Sequence, residues 1–283
     1  MAINSYRISC VVDAVPAHLT QLACWIASLR MAGIPDRRLM VHLVEGGSPA
    51  LRHRIEALGV PVQMIARCVD GAYCNKIGGL LSARGPDPVL ATDVDIAFLQ
   101  QPEIPDPPAD GRVWARVVDC PNPPLPILEA ILRAAGFSAP LPVVPCGTSD
   151  EKTLPINCNG GFYAMSAATA AVMGPAWLRW AQWLFGRPEL LPANFRPHID
   201  QISFGLAALE RDLAIEPLPA DHNVPTHLGP LALTGPAKVL HYHQRQNPDG
   251  SLMLLGNPAI DRDIEDFNRR IGPELRRIRE SLL

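Results

Sequence analysis

Two aspartates follow a short apolar run near the end of the first third of the chain. Asp93 and Asp95 flank Val94 and follow residues 88–91 after one intervening residue, Thr92. If the segment is extended, alternation places both carboxylates on one side, with Val94 pointing into the sheet. Carboxylate oxygens are the ligands that hard divalent cations prefer, and two like charges at the end of a buried strand repel unless something compensates them. The pattern predicts a divalent-cation site in preference to a solvated strand end.

A histidine from much later in the chain is the candidate third ligand. A second short apolar run leads into His241, Tyr242 and His243. His241 sits where the predicted strand ends and is able to complete an octahedral site, but His243 is an equally placed competitor and many histidines are only packed and hydrogen-bonded. A cation in such a site commonly holds the diphosphate of a nucleotide. These residues therefore suggest a metal-dependent transferase acting on a nucleotide-activated substrate.

A polar stretch with two glycines is a second candidate binding element. Asn159, Gly160 and Gly161 lead into a predicted strand at 161–165. Glycine lets the backbone approach a ligand closely, and asparagine amides bind sugar hydroxyls. A tight turn before a strand explains the same residues without a ligand, and both interpretations stay open.

Three charged or polar residues near helix starts could also contact a ligand. Asp200 and Gln201 open a predicted helix, where Asp200 is either an N-cap or a carboxylate that faces the anomeric carbon of a sugar. Lys76 lies at the start of another predicted helix, where a cation gains nothing from the helix dipole. Its position favours an anionic ligand nearby, although a solvated lysine is the commoner case.

Strand and helix signals alternate through the first hundred residues. Apolar periodicity predicts strands at 8–12, 39–44, 60–65 and 89–94 and helices at 16–31, 50–58 and 76–83. This order predicts an α/β fold with a mostly parallel sheet and helices on both faces. Ligands of such sheets bind beyond the carboxyl ends of the strands, where Asp13 and Asp93 lie.

The remainder of the chain adds loops and helices. Eight prolines fall between Pro102 and Pro126, which predicts ordered loops that act either as surface packing or as a lid. Further helices are predicted at 127–135, 167–184 and 201–210, and strands at 113–118, 214–215 and 239–242. Helical spacing from 260 to 282 predicts an amphipathic C-terminal helix that is kinked or broken at Gly272-Pro273, packed on the protein or, less favoured, lying on a membrane surface.

Composition excludes several classes of protein. A chain of 283 residues with 48% hydrophobic residues can bury a substantial core. A net charge of -3 with 19% charged residues gives no field that attracts nucleic acid. Seven cysteines without a CxxC pair indicate reduced thiols and a cytoplasmic protein, and neither a leader nor a membrane-spanning run is recognisable.

The order of these motifs resembles that of a GT-A-fold glycosyltransferase, most closely family 8, the glycogenin and bacterial lipopolysaccharide galactosyltransferase type. That family shows a base-binding end of the first strand, a basic residue on the helix before DxD, the DxD itself, an Asn-x-Gly strand entry, an Asp-Gln helix start and a late histidine. The matching positions here, spanning about residues 6 to 245, are Asp13, Lys76, Asp93 and Asp95, Asn159 to Gly161, Asp200 with Gln201, and His241.

The resemblance implies a fold, a reaction and a set of roles. It implies one GT-A catalytic domain over residues 1–250, with a nucleotide-binding part at about 1–100 and an acceptor part at about 101–250, followed by a helical extension at 251–283. It also implies a retaining transfer of a sugar from a nucleotide-diphosphate donor, UDP or GDP and preferentially UDP, to a glycan or lipid-linked acceptor. The implied ligands of Mn²⁺ or Mg²⁺ are Asp93, Asp95 and His241. Donor contacts are implied for Asp13, Lys76, Gly160 and Gly161, and positioning of the sugar for Asn159, Asp200 and Gln201.

One departure from the family keeps rival functions open. The family's Gly-x-x-Lys-Pro-Trp tail after the histidine is replaced here by residues 244–248, in which Arg245 is the one basic residue. The loss of the late lysine allows a protein that binds nucleotide sugars without turnover. A DxD phosphotransferase of the haloacid-dehalogenase type is disfavoured, because that type carries the motif on its first strand. A nucleotidylyltransferase is disfavoured because no glycine-rich phosphate loop follows the first strand.

Overall fold

The computed structural model describes residues 5–46, 48–83, 85–102, 109–147, 150–227 and 236–283. Strands and helices alternate in the first hundred residues, as the apolar periodicity predicts. The strands are β1 (Arg7–Val12), β2 (Leu39–Val44), β3 (Val62–Ile65), β4 (Val89–Thr92), β5 (Ile96–Phe98), β6 (Arg112–Ala115), β7 (Val144–Pro145), β8 (Lys152–Thr153), β9 (Phe162–Met165), β10 (Ala214–Pro217), β11 (Val224–Pro225) and β12 (Val239–His241). The helices are α1 (Pro16–Met31), α2 (Pro49–Ala57), α3 (Asn75–Ser82), α4 (Leu125–Ala134), α5 (Ala167–Phe185), α6 (Ile199–Glu210) and α7 (Pro258–Leu282), with 3-10 turns at Asp36–Arg38 and Ala193–His198.

The described residues form two compact units, each assembled from separate stretches of the chain. Unit 1 contains the described parts of Met1–Ile65, Leu90–Asp106 and Leu218–Leu283, and unit 2 those of Ala66–Val89 and Pro107–Pro217. The division of the sequence into a domain at 1–250 and an extension at 251–283 stays a prediction.

The core of unit 1 is a sheet with the strand order β4-β1-β2-β3. β1 pairs with β2 and β2 with β3, both in parallel. Trp25 on α1 is fully buried and donates a hydrogen bond of 2.9 Å to Thr92 Oγ1, which in turn donates to the Ser9 carbonyl at 3.2 Å. These two bonds tie α1, β4 and β1 together and fix the end of β4, directly before Asp93.

The predicted strand at 89–94 ends two residues earlier than expected, and a strand that was not predicted follows it. β4 ends at Thr92, the chain turns at 93–95, and β5 begins at Ile96. β5 pairs in antiparallel fashion with β12, and β12 pairs in parallel with β11. The alternation of an extended strand therefore does not orient Asp93 and Asp95. The turn between β4 and β5 orients them.

Unit 2 contains a second set of strands, in the order β10-β6-β9. β6 pairs in parallel with β10 and in antiparallel fashion with β9. An aromatic cluster joins β9, α5 and α6: Tyr163 stacks on Phe204 with ring centroids 3.9 Å apart, and Trp177 meets both rings edge-on. Trp177 also donates a hydrogen bond of 2.7 Å to the Asp200 carbonyl, which fixes the first turn of α6.

Of the kink or break expected at Gly272-Pro273, the break is wrong, because α7 continues through both residues, and the kink stays a prediction. Proline removes one backbone donor from a helix interior and costs stability there. Seven apolar side chains on one face of α7 are nevertheless buried, and α7 packs against α1 and α2 in unit 1. Burial of this face offsets the missing hydrogen bond.

Two other expectations meet the limits of the described chain. Residues 103–108 of the proline-rich stretch, and residues 1–4 at the amino end, lie outside the described residues. β6 (Arg112–Ala115) lies within the proline-rich stretch, between its prolines at 102–108 and those at 121–126. The lid and the surface-packing interpretations both stay predictions. No helix among the described residues is long and apolar enough to cross a membrane.

A buried histidine in unit 1 predicts acid destabilisation. His42 on β2 is only 2% exposed, and burial, assisted by the charge of Arg7, lowers its pKa from 6.5 to about 4. Below pH ~6.5 the unfolded chain binds a proton that the native protein binds only near pH 4, so stability falls as the pH falls. This group should remove about 3 kcal/mol between pH ~6.5 and ~4. Urea unfolding at several pH values measures the effect.

The control for this pH dependence is a pair of single substitutions. His42→Gln removes this titrating group and should make the loss of stability on acidification smaller, whereas His53→Gln, at an exposed position on α2 where His53 lies 3.5 Å from Glu56, should change it much less. An identical pH slope for His42→Gln and the parent protein would contradict the assignment.

Candidate functional site

Three side chains in unit 1 converge as a metal site would require. One ligand atom from each of Asp93, Asp95 and His241 lies within 4.8 Å of the other two. His241 Nε2 is 3.3 Å from Asp95 Oδ1 and 3.9 Å from Asp93 Oδ2. The pairing of β5 with β12 causes this convergence, because it sets His241 opposite Ile96 and lets the Tyr242 amide donate to the Asp95 carbonyl at 3.0 Å.

The electrostatics of this centre suit a divalent cation. Burial is the largest influence on the Asp95 pKa and raises it, but the imidazoles of His241 and His243 together outweigh burial and hold the pKa below its ordinary value. Asp95 is therefore ionised at neutral pH. Two carboxylates and one imidazole are a set of ligands that binds Mn²⁺ and Mg²⁺. The residues present fit the metal that the sequence resemblance implies.

A stack of histidines extends away from the centre. The His243 ring lies parallel to that of His241, with centroids 3.9 Å apart and an interplanar angle of 14°. His243 Nδ1 is 3.3 Å from Nδ1 of His227, and the His243 carbonyl accepts a hydrogen bond of 3.2 Å from Gln21. Burial, and then the neighbouring His241, lowers the pKa of His243 to about 3. His243 is not part of the three-residue convergence, and His227 was not singled out from the sequence.

Asp13 lies directly after β1, as Asp93 lies after β4 in the same sheet. Its amide donates a hydrogen bond of 3.2 Å to His18 Nδ1, and its carboxylate is 3.9 Å from the same nitrogen. His18, in the first turn of α1, was missed in the sequence. Its position five residues after a strand-end aspartate is the signal that could have identified it.

Three of the sequence-derived candidates meet in unit 2. Lys76 Nζ lies 3.0 Å from Asp200 Oδ2 and donates a hydrogen bond of 3.2 Å to the Gly160 carbonyl. The Lys76 side chain is 15% exposed and that of Asp200 only 2%. A Cβ atom at Gly160 would stand 2.7 Å from Lys76 Nζ, so the absence of a side chain at this position is what permits the contact.

The structure changes the local interpretation of two of these residues. Asp200 does not cap a helix: α6 begins at Ile199, and Asp200 lies in its first turn with its carboxylate on Lys76. Lys76 is not a solvated lysine, because its charge is paired. Gln201 follows in the same turn, with its Cγ 3.5 Å from the site of a Gly160 Cβ.

Asn159 belongs to a buried polar group that the sequence did not reveal. Its amide nitrogen donates to Asp119 Oδ2 at 3.1 Å, and its oxygen accepts from the Gly161 amide at 2.9 Å. Arg116 lies 3.3 Å from the other oxygen of Asp119. Asp119 comes directly after the predicted strand at 113–118, and this position is the signal that could have identified it.

Comparison with known proteins finds the fold through structure and not through sequence. No family model matches the chain, and no curated protein is significantly similar to it in sequence. The galactosyltransferase LgtC, solved in complex with donor and acceptor sugar analogues, aligns with a TM-score of 0.56 at 12% identity, covering 94% of this chain and 95% of that one. The bifunctional glycosyltransferase WbbM, in its apo form, aligns with a TM-score of 0.53 at 14% identity, covering 99% of this chain and 52% of that one.

These likenesses define the class of fold. The chain is a mixed α/β protein with a mostly parallel central sheet, and it has the GT-A fold of glycosyltransferases. The fold class and the structural resemblance predicted from the order of the motifs are confirmed. At these identities the likeness establishes the fold, while the chemistry has to be argued from the residues of this chain.

Proposed function

We propose that this chain is a metal-dependent glycosyltransferase that moves a sugar from a nucleotide-diphosphate donor to a glycan or lipid-linked acceptor. The observation that supports it most directly is the convergence of Asp93, Asp95 and His241 within 4.8 Å in a chain with the GT-A fold. Two carboxyl groups gathered beside an imidazole in a half-buried position are costly in free energy unless they serve a cation. We propose retention of anomeric configuration, and we assign no protein nucleophile.

The proposed roles in unit 1 follow from the ligand atoms that the side chains offer to a metal ion. Asp93, Asp95 and His241 would hold Mn²⁺ or Mg²⁺. When bound, such a cation offsets the negative charge that develops on the diphosphate leaving group as the glycosidic bond breaks. His241 is only 6% exposed, so its imidazole is held in one orientation and coordination requires little further ordering. Asp13 is assigned to the base or ribose of the donor, with UDP as the proposed nucleotide.

The residues of unit 2 are assigned to the donor sugar and its phosphates. The ion pair with Lys76 fixes the Asp200 side chain, so that this carboxylate and the neighbouring Gln201 would orient sugar hydroxyls. The Asn159 amide is engaged with Asp119 and Gly161, which makes Asn159 a residue that shapes the backbone at Gly160 and Gly161. Close approach of a ligand is possible along this backbone because neither glycine has a side chain.

The alternative is a protein of the same fold that binds a nucleotide sugar without transferring it. The observation that favours it is the segment after the histidines, where a turn closed by hydrogen bonds between Asn247 and Ser251 stands in place of the family's lysine. Arg245, which is exposed, is the basic side chain of residues 244–248. Release of free UDP in the presence of acceptors separates the alternatives, since a binding protein would release none.

A thermal-shift screen tests the proposal first. A ligand that binds only the folded state raises the melting temperature, and a concentration of 100 times Kd stabilises by about 2.7 kcal/mol. For a protein of this length we expect UDP or a UDP-sugar with Mn²⁺ to raise Tm by about 5 °C or more. The same nucleotides with EDTA, and Mn²⁺ alone, are the controls. The absence of a shift with every nucleoside diphosphate and nucleotide sugar in the presence of Mn²⁺ or Mg²⁺ would contradict the proposal.

A further inference from the structure

His227 and His243 form a close pair of imidazoles beside the proposed metal centre. Their Nδ1 atoms are 3.3 Å apart, and their rings meet edge-on with centroids 4.3 Å apart and an interplanar angle of 78°. His243 has a positive φ of 53°, a conformation that non-glycine residues rarely adopt and that concentrates at functional sites. The proposed function uses neither side chain.

The separation of the two nitrogens matches the spacing of two ligands on one metal ion. An imidazole nitrogen binds zinc at about 2.0–2.1 Å, so two such nitrogens at a tetrahedral angle stand about 3.3–3.4 Å apart. The same distance is within reach of a hydrogen bond from one ring nitrogen to the other. The observed spacing is therefore compatible with two ligands of one metal ion as well as with a hydrogen bond between the rings.

The surroundings of the pair allow both nitrogens to point at one ion. The His243 ring is half-buried and stacked on His241, so it is the fixed partner. His227 is exposed, and exposed side chains change rotamer within nanoseconds. Two imidazoles that converge on one ion have ring centroids about 5 Å apart, as follows from the Zn–N distances. The observed centroid distance is 4.3 Å, and a rotation of the exposed His227 ring increases it without any movement of the backbone.

We propose that His227 and His243 form a second metal site, which binds a borderline transition-metal ion such as Zn²⁺, Ni²⁺ or Co²⁺ with water in the remaining positions. Its chemistry differs from that of the first centre. Two neutral nitrogen ligands select ions from the zinc and nickel side of the first-row series, whereas the carboxylate-rich set of Asp93, Asp95 and His241 also accepts Mn²⁺ and Mg²⁺. The second site does not depend on glycosyl transfer.

Zinc stoichiometry measured on the full chain without a histidine tag tests the second site. By isothermal titration calorimetry with Zn²⁺ alone, we expect two ions to bind the parent protein, one to bind Asp95→Asn, and none to bind Asp95→Asn combined with His227→Gln. His227→Gln alone should keep its Mn²⁺ affinity and lose one zinc ion. Loss of an outer-shell partner of a metal ligand typically lowers metal affinity roughly 10–100-fold. Removal of a direct ligand should therefore lower the zinc affinity of this site by at least as much.

The design separates failure of this inference from failure of the proposed function. His53→Gln, which also removes one exposed histidine, is the matched control and should keep both zinc ions. Equal zinc binding by the parent protein and His227→Gln would overturn the second site and leave the first centre untouched. Loss of Mn²⁺ binding in Asp95→Asn is required by the proposed function alone.

Discussion

Replacement of Asp95 by asparagine should abolish metal-dependent nucleotide binding while leaving the protein folded. Asparagine keeps the shape of the side chain but removes the negative charge, and this carboxylate is the one that contacts His241 at 3.3 Å. Loss of a residue that only supports a metal ligand lowers metal affinity by up to about 100-fold. Loss of an ionised ligand should therefore lower the Mn²⁺ affinity by at least about 100-fold. Calorimetric titration of Mn²⁺, and of UDP with and without Mn²⁺, measures both effects.

An aspartate far from the centre provides the control for this substitution. Asp212 is exposed and has a positive φ of 51°, a conformation that asparagine tolerates, so Asp212→Asn changes the charge equally without touching the site. Unchanged UDP affinity in Asp95→Asn, with and without Mn²⁺, would refute the metal assignment.

His241→Ala should lower the Mn²⁺ affinity more than His243→Ala does. The reverse order would make His243 the ligand.

Local elements could be predicted where short-range signals agree. The predicted bounds of α1 and β2 coincide with those of the structure. Pro16 at the first helical position and Gly33 beyond the end mark α1 in the sequence, and its apolar residues recur at helical spacing. Where the signals conflicted, as at Gly272-Pro273, the local rule gave way to burial of the apolar face of α7.

What the sequence could not supply were the pairings between distant segments. β5 is three residues long and carries no turn signal of its own, so nothing local separates it from β4. Its partner β12 lies near the opposite end of the chain, and only this pairing places His241 beside Asp95. Residue type and order were enough to nominate Asp93, Asp95 and His241 as candidate ligands. That His241 converges with the two carboxylates, while His243 does not join them, became apparent only in the folded structure.

The same limit explains Lys76. An exposed lysine and a paired lysine look identical in a sequence, and the partner here, Asp200, is on a different helix. The N-cap alternative for Asp200 is wrong for a related reason, because α6 begins at Ile199 and the Asp200 carboxylate contacts Lys76 instead. The position of Asp119 after a predicted strand was visible in the sequence, but its contacts with Arg116 and Asn159 are seen only in the folded structure.

Lys76→Met should be among the most destabilising single substitutions at this site. It removes the cation from a carboxylate that is 2% exposed, and breaking a buried ion pair by removing one partner typically costs about 3–5 kcal/mol. The free energy of unfolding in urea should fall by that amount. Arg52→Met is the matched control, because the Arg52 side chain is 48% exposed in its pair with Glu56, and an exposed pair contributes less than about 1 kcal/mol.

A double substitution separates the structural contribution of Lys76 from its proposed contribution to donor binding. Lys76→Met combined with Asp200→Asn removes both charges, so most of the stability lost in the single variant should return. If Lys76 and Asp200 also position the donor, the refolded double variant should bind a UDP-sugar at least about tenfold more weakly, a change of ~1.4 kcal/mol, while keeping its affinity for uridine. Parental affinity for the UDP-sugar in the stable double variant would restrict the pair to a structural role.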